Sequence, residues 1–146
     1  MASGQYIKQN LLQSDADVTT VLSGETLSTG SYADSTSDFD CRGFREVDFF
    51  IHVDTKNGMS KIHAQPEAGQ ILDQSNVEYA TYLTETISSG VATTNEYEVE
   101  LNDPAPADGV VYKVTVPVEG RVVRVQLKVD NASSNPSVAV YAQRRV

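Results

Sequence analysis

Hydrophobic and polar residues alternate most regularly in residues 110–130, where every second position is apolar through two successive segments. The apolar positions are Val110, Tyr112, Val114 and Val116 in the first segment, and Val123, Val125, Leu127 and Val129 in the second. Alternation with one apolar and one polar face predicts strands that pack on a core by one side only. We interpret this region as a β-hairpin whose turn is residues 117–120, with Gly120 at a positive φ.

Shorter segments of the chain repeat this pattern. Residues 44–54 place Val47, Phe49, Ile51 and Val53 on one face, and Asn57 and Gly58 then predict a hairpin turn before a strand at residues 60–65. Further strands are expected at residues 17–22, 77–85, 96–101 and 137–143, with connections at residues 66–76 and 87–95. The prediction is an all-β fold of about eight strands: a two-sheet antiparallel β-sandwich, jelly-roll-like.

Residues 1–16 are polar with isolated apolar points, and we expect an extended N-terminal arm there, followed by a β-sandwich domain at residues 17–146. The net charge is −9, which disfavours nucleic acid as a partner. A single cysteine excludes an internal disulfide, and no apolar run reaches the length of a membrane span. Residues 1–10 lack the features of a signal peptide, so synthesis in the cytoplasm is expected.

Acidic residues, histidines and the cysteine are the candidates for chemistry in this sequence. Asp34, Asp38 and Asp40 lack the spacing of a calcium loop, which favours a solvated loop. If residues 44–65 form a hairpin, His52 and His63 are cross-strand neighbours, but zinc needs further ligands and only Cys41 is a soft candidate. We therefore expect no metal and no cofactor.

No residues predict catalysis. A nucleophile built from Cys41 and a histidine is weighed against a small residue at a strand entrance, and the second interpretation is favoured. No carboxylate stands in the apolar setting that raises the pKa of a catalytic acid. The expectation is a non-enzymatic protein without a small-molecule ligand. Aromatic side chains outside the core would serve sugar stacking or subunit contact, and the lack of tryptophan favours contact.

Residues 43–53 (GFREVDFFIHV) and 120–129 (GRVVRVQLKV), with a last short strand, resemble the small β-sandwich virion proteins of tailed bacteriophages. These are capsid decoration (cement) proteins and related head or tail accessory proteins. The resemblance implies a trimer or other small oligomer on the capsid surface of the virion, with an N-terminal arm that reaches over neighbouring subunits. It implies two partners: the major capsid protein and copies of this chain.

The expected function is therefore that of a capsid decoration protein that stabilises the head shell. The alternative is a carbohydrate-binding β-sandwich, free or in a host-adhesion or tail device. Two sets of partner-binding residues are predicted. The arm set is Tyr6, Ile7, Leu11 and Leu12, and the set on the second strand faces is Phe50, Tyr82, Val111, Val122 and Tyr141.

Overall fold

The computed structural model describes residues 18–73 and 76–145, and every regular element in these ranges is a β-strand. The all-β prediction is thereby confirmed. The strands are β1 (Thr19–Thr26), β2 (Asp34–Ser35), β3 (Phe39–Asp40), β4 (Glu46–Thr55), β5 (Lys61–Asp73), β6 (Asn76–Thr81), β7 (Leu83–Ser88), β8 (Val91–Glu96), β9 (Val99–Leu101), β10 (Val111–Pro117), β11 (Val122–Asp130) and β12 (Ser137–Arg145).

Three antiparallel sheets contain these strands. The first sheet has the order β1–β12–β4–β10. The second has the order β2–β11–β5–β6, with β3 also paired to β11 and β9 also paired to β5. The third sheet consists only of β7 and β8. The long strands β4 and β11 therefore each have a hydrogen-bonded strand on both sides.

The two larger sheets share one hydrophobic cluster. Phe49 and Ile51 enter it from β4, and Ile62 and Leu127 enter it from β5 and β11. The predicted inward faces of β4 and β11 are confirmed, because all eight of their apolar side chains are completely buried. These residues are Val47, Phe49, Ile51, Val53, Val123, Val125, Leu127 and Val129.

The hairpin predicted for residues 110–130 is wrong. β10 pairs with β4 in the first sheet, whereas β11 pairs with β5 in the second. The intervening residues cross from one sheet to the other, held by hydrogen bonds from Val118 N to Arg45 O and from Arg121 N to Gly69 O. Gly120 does not adopt a positive φ; a Cβ there would lie 2.7 Å from Gly69 O, so close backbone approach requires the glycine.

The second predicted hairpin is wrong for the same reason. Asn57 and Gly58 both have positive φ, but they turn the chain from β4 in the first sheet to β5 in the second. His52 and His63 consequently belong to different sheets and are not cross-strand neighbours. A turn signal in the sequence marks a reversal of direction, and it does not say whether the two strands pair with each other.

β5 continues through Pro66 to Asp73, where a connection was predicted. Pro66 is tolerated because its partner, Val125, directs its backbone N–H and C=O to Thr36 instead. The missing proline N–H therefore breaks no bond between β5 and β11. Residues 87–95, also predicted as a loop, instead form most of a hairpin.

Candidate functional site

The predicted partner-binding residues that the structure describes lie in three environments: the outer face of the first sheet, the second sheet and the core. The arm and its residues Tyr6, Ile7, Leu11 and Leu12 fall outside the described residues, so their role stays a prediction. Among the others, Phe50 and Tyr141 are direct cross-strand partners on the outer face of the first sheet, and both are half-buried. Val111 lies on the same outer face and is 52% exposed.

The remaining two residues do not join this patch. Val122 is half-buried on the second sheet, where its side chain lies against Gly69. The placement of Tyr82 outside the core is wrong, because Tyr82 is only 8% exposed and belongs to the hydrophobic cluster. Its hydroxyl donates a hydrogen bond to Pro117 O, and Tyr97 N donates to Tyr82 O. Tyr82 is thus an internal anchor of the segment between β6 and β7.

The hairpin formed by β7 and β8, residues 83–96, is the most exposed regular element. Every residue of both strands is exposed, and the two strands pair only with each other. The side chains of Leu83, Ile87 and Ala92 share one face with Glu85, Thr94 and Glu96, whereas Thr84, Thr86, Ser88, Val91, Thr93 and Asn95 share the other. One face of the β7–β8 hairpin therefore combines apolar residues with two glutamates, and the other combines hydroxyl residues with Val91.

Local sequence explains why this segment folds back on itself. Ser88 pairs with Val91, and the two residues between them, Ser89 and Gly90, have φ of 51° and 77°. Two successive positive φ values define a tight type I′ connection, whose twist matches that of the flanking strands. The Ser-Gly pair between β-branched residues was the sequence signal for this hairpin.

Polar side chains occupy the outer face of the second sheet, beside β5 and β11. Arg124 Nε donates to Glu67 Oε1 at 2.8 Å, and the guanidinium lies 3.4 Å from the centroid of the Tyr79 ring. Tyr79 in turn donates its hydroxyl to the Asp38 carboxylate. Glu67 is only 8% exposed, so the pairing with Arg124 compensates for a buried charge.

His63 lies further along the same face and is 7% exposed. Its Nδ1 is 2.5 Å from Glu98 Oε1, and its Nε2 is 2.9 Å from Asp130 Oδ2. Hydrogen bonding from His63 lowers the pKa of Asp130, and the pKa of Glu98 is also lowered: although burial raises it, hydrogen bonds from Tyr32 and His63 outweigh that effect. Sequence reasoning missed this grouping because Glu98 and Asp130 are far from His63 in the chain.

Cys41 is completely buried, and its thiol donates a hydrogen bond to Phe39 O at 2.9 Å. Burial raises the pKa of Cys41 to about 11, which keeps the sulfur protonated at neutral pH. A protonated, buried thiol is a poor nucleophile. The geometry thus favours a packing role for Cys41.

The acidic residues of the loop before β4 contact separate partners. Asp34 Oδ2 accepts a hydrogen bond from Ser28 N, and Asp38 accepts one from Tyr79. Asp40 is paired with Arg42, whose hydrogen bonds lower the pKa of Asp40 to about 2. These contacts hold the segment together and tie it to β6 through Tyr79, and they do not direct the three carboxylates to one point.

Comparisons with known protein families, curated proteins and solved structures find no match to this chain. The described residues contain no helix long and apolar enough to span a membrane. Function must therefore be argued from the surface features alone, of which the β7–β8 hairpin is the most distinctive.

Proposed function

We propose that this protein is a non-enzymatic structural protein of a tailed-phage particle, a capsid decoration protein that docks through its β7–β8 hairpin. The observation that carries the proposal is the hairpin itself, which extends without any other strand beside it. Leu83 and Ile87, which lie on one face of the hairpin, are 63% and 69% exposed. A neighbouring subunit that covers this face would remove both side chains from water.

Stability gives a second reason for a partner. A two-stranded hairpin is marginally stable by itself in water, and the β7–β8 hairpin receives no cover from the described core. Docking against another subunit supplies the missing third layer.

Strand order supports a two-sheet sandwich of the jelly-roll type. Counting β2 with β3 as one strand, and β6 with β9 as another, leaves eight strands outside the β7–β8 hairpin. The first sheet then joins the first, last, third and sixth of these strands, and the second joins the second, seventh, fourth and fifth. This order supports a jelly roll, an architecture that occurs in viral capsid proteins and in lectins.

The proposed partners are the major capsid protein and copies of this chain in a small oligomer such as a trimer. Residues 1–16 provide a second contact, as an arm on neighbouring subunits. Each contact is modest, but a subunit that engages the shell at two points gains avidity, because the second binding event is intramolecular. The acidic net charge of −9 keeps the free protein soluble before assembly.

The test adds purified protein to phage capsids from which it has been stripped, and counts the copies bound. Wild-type protein should bind in stoichiometric copies and raise the melting temperature of the shell. Ile87→Asp, which replaces an exposed apolar side chain with a carboxylate, should bind at least tenfold more weakly. Thr86→Asp adds the same charge to the opposite face of the same strand and should bind like wild type.

Deletion of residues 1–16 tests the arm separately. It should weaken capsid binding even though the hairpin is unchanged. If wild-type protein does not bind the shell, the decoration function is wrong, although the fold is unaffected. If both aspartate variants bind like wild type, the hairpin is not the docking element. An equal loss of capsid binding in both variants would mean that the added negative charge, and not the loss of the Ile87 side chain, weakens binding.

The alternative of carbohydrate binding rests on Phe50 and Tyr141, which are neighbours on the outer face of the first sheet. Adjacent aromatic rings offer a stacking surface for a sugar ring. A glycan array distinguishes the two functions: sugar binding that is lost in Tyr141→Ala, together with no binding to capsids, favours the alternative.

A further inference from the structure

We propose that His63, Glu98 and Glu100 form a binding site for one divalent metal ion of the zinc class. Each residue offers a ligand atom, and these atoms lie within 4.8 Å of one another. No other such group occurs among residues 18–73 and 76–145. The inference is independent of the proposed docking function, because the β7–β8 hairpin supplies none of the ligands.

Strand pairing explains how the ligands meet. His63 on β5 is the direct partner of Glu100 on β9, so both side chains emerge together on the outer face of the second sheet. Glu98 lies two residues before Glu100 and therefore points to the same side. Both glutamates are partly open to solvent: the side chain of Glu98 is 30% exposed, and that of Glu100 is 54% exposed.

The contacts of the His63 imidazole favour a cation at this site. Both ring nitrogens of His63 face carboxylate oxygens, at 2.5 Å and 2.9 Å. A neutral imidazole can donate from only one nitrogen, so the other contact sets a lone pair against an anion. A second ring proton or a metal ion on the ring nitrogen relieves this conflict.

The surrounding residues favour a metal on the Nδ1 side. Nδ1 faces Glu98, and Glu100 lies close by, whereas Nε2 faces only Asp130. A histidine that binds a metal commonly donates its other N–H to a carboxylate, which orients the ring and strengthens the ligand. Asp130 lies where it can accept the hydrogen bond from His63 Nε2.

A lysine competes for one of these carboxylates. Lys61 Nζ is 3.0 Å from Glu100 Oε2. An ion pair this exposed is weak, and Lys61 can turn into solvent when a divalent ion takes its place. One nitrogen and two carboxylate ligands suit zinc, and leave a position for water, whereas calcium and magnesium prefer oxygen alone.

The experiment titrates untagged full-length protein with Zn²⁺ by calorimetry and compares two histidine variants. Wild type should bind one Zn²⁺ per chain, and His63→Gln should bind at least tenfold more weakly. His52→Gln is the matched control, because His52 Nδ1 also contacts a carboxylate, Asp54 Oδ1 at 2.8 Å, but lacks further ligands. This control should bind like wild type.

Glu100→Gln provides a second variant in case His63→Gln fails to fold, since its side chain is more than half exposed. It should also weaken zinc binding tenfold or more, and Co²⁺ in wild type should give a visible spectrum that both ligand variants lose. Calcium should not raise the melting temperature. Zinc binding that survives in Glu100→Gln and His63→Gln, or no binding at 0.1 mM Zn²⁺ in wild type, would overturn the proposal.

Discussion

β11 and the β7–β8 hairpin have similar compositions of β-branched residues but opposite environments. Along β11 every second side chain is completely buried, and neighbouring strands lie on both sides. Along β7 and β8 every residue is exposed, and each strand has a single neighbour. The first strand is held by its core, whereas the hairpin is held by its own turn and ladder.

This difference teaches that a β-branched composition alone does not reveal what covers an apolar side chain. Val125 and Ile87 are both β-branched residues in strands, yet one is 0% and the other 69% exposed. For Val125 the cover is the opposite sheet of the same chain. For Ile87 the proposed cover is another subunit.

The largest expected effect comes from placing a carboxylate at each position. Val125→Asp buries an unpaired charge and should lower the free energy of unfolding by more than about 4 kcal/mol. Ile87→Asp remains in solvent and should change it by less than about 0.5 kcal/mol. Urea unfolding followed by circular dichroism measures both values. Comparable losses in the two variants would show that the hairpin is packed in solution.

Substitution of two glycines by alanine should give a smaller difference in stability between the two regions. Gly120→Ala places a methyl group 2.7 Å from Gly69 O at the crossing between the sheets, and should cost about 1–3 kcal/mol. Gly90→Ala meets no atom within 4 Å, but the residue has φ of 77°, which costs roughly 1 kcal/mol in the hairpin turn alone. Hydrogen exchange should therefore accelerate throughout the two large sheets in the first variant and only in residues 83–96 in the second.

The smallest effect is expected at the boundary between these regions. Tyr82→Phe removes the hydrogen bond to Pro117 O and should lower the free energy of unfolding by about 1 kcal/mol. Burial raises the pKa of Tyr82 from 10.0 to about 12, so the folded state stays protonated where the unfolded tyrosine ionises. Wild type should consequently lose stability between pH 10 and 12, and Tyr82→Phe should lose less. Identical alkaline profiles would contradict this.

Much of the fold was predictable because core strands carry a strong local signal. The inward faces of β4 and β11 follow directly from period-2 alternation. The pairing of strands was not predictable in the same way, because a turn such as Asn57 and Gly58 is compatible with a hairpin or with a crossing between sheets. Only the positions of the other strands decide between them.

The candidate sites were less predictable than the fold. Threonine and serine in residues 87–95 are common in loops, and the short Ser-Gly turn was the only signal for a hairpin. His63 was identified as a candidate, but with His52 as its neighbour. Its actual neighbours, Glu98 and Asp130, come from strands or loops more than thirty residues away and meet it only through β5 pairing.

Repeated crossing between the two large sheets has a consequence for how quickly the protein folds. Consecutive strands pair only at β5–β6 and β7–β8 among the described residues, and every other ladder joins segments distant in the chain. Closing such long loops costs entropy before the contacts form, so a topology of this kind folds slowly, on the scale of milliseconds to seconds. The β7–β8 hairpin needs no such closure, and it can form in microseconds, long before the two large sheets come together.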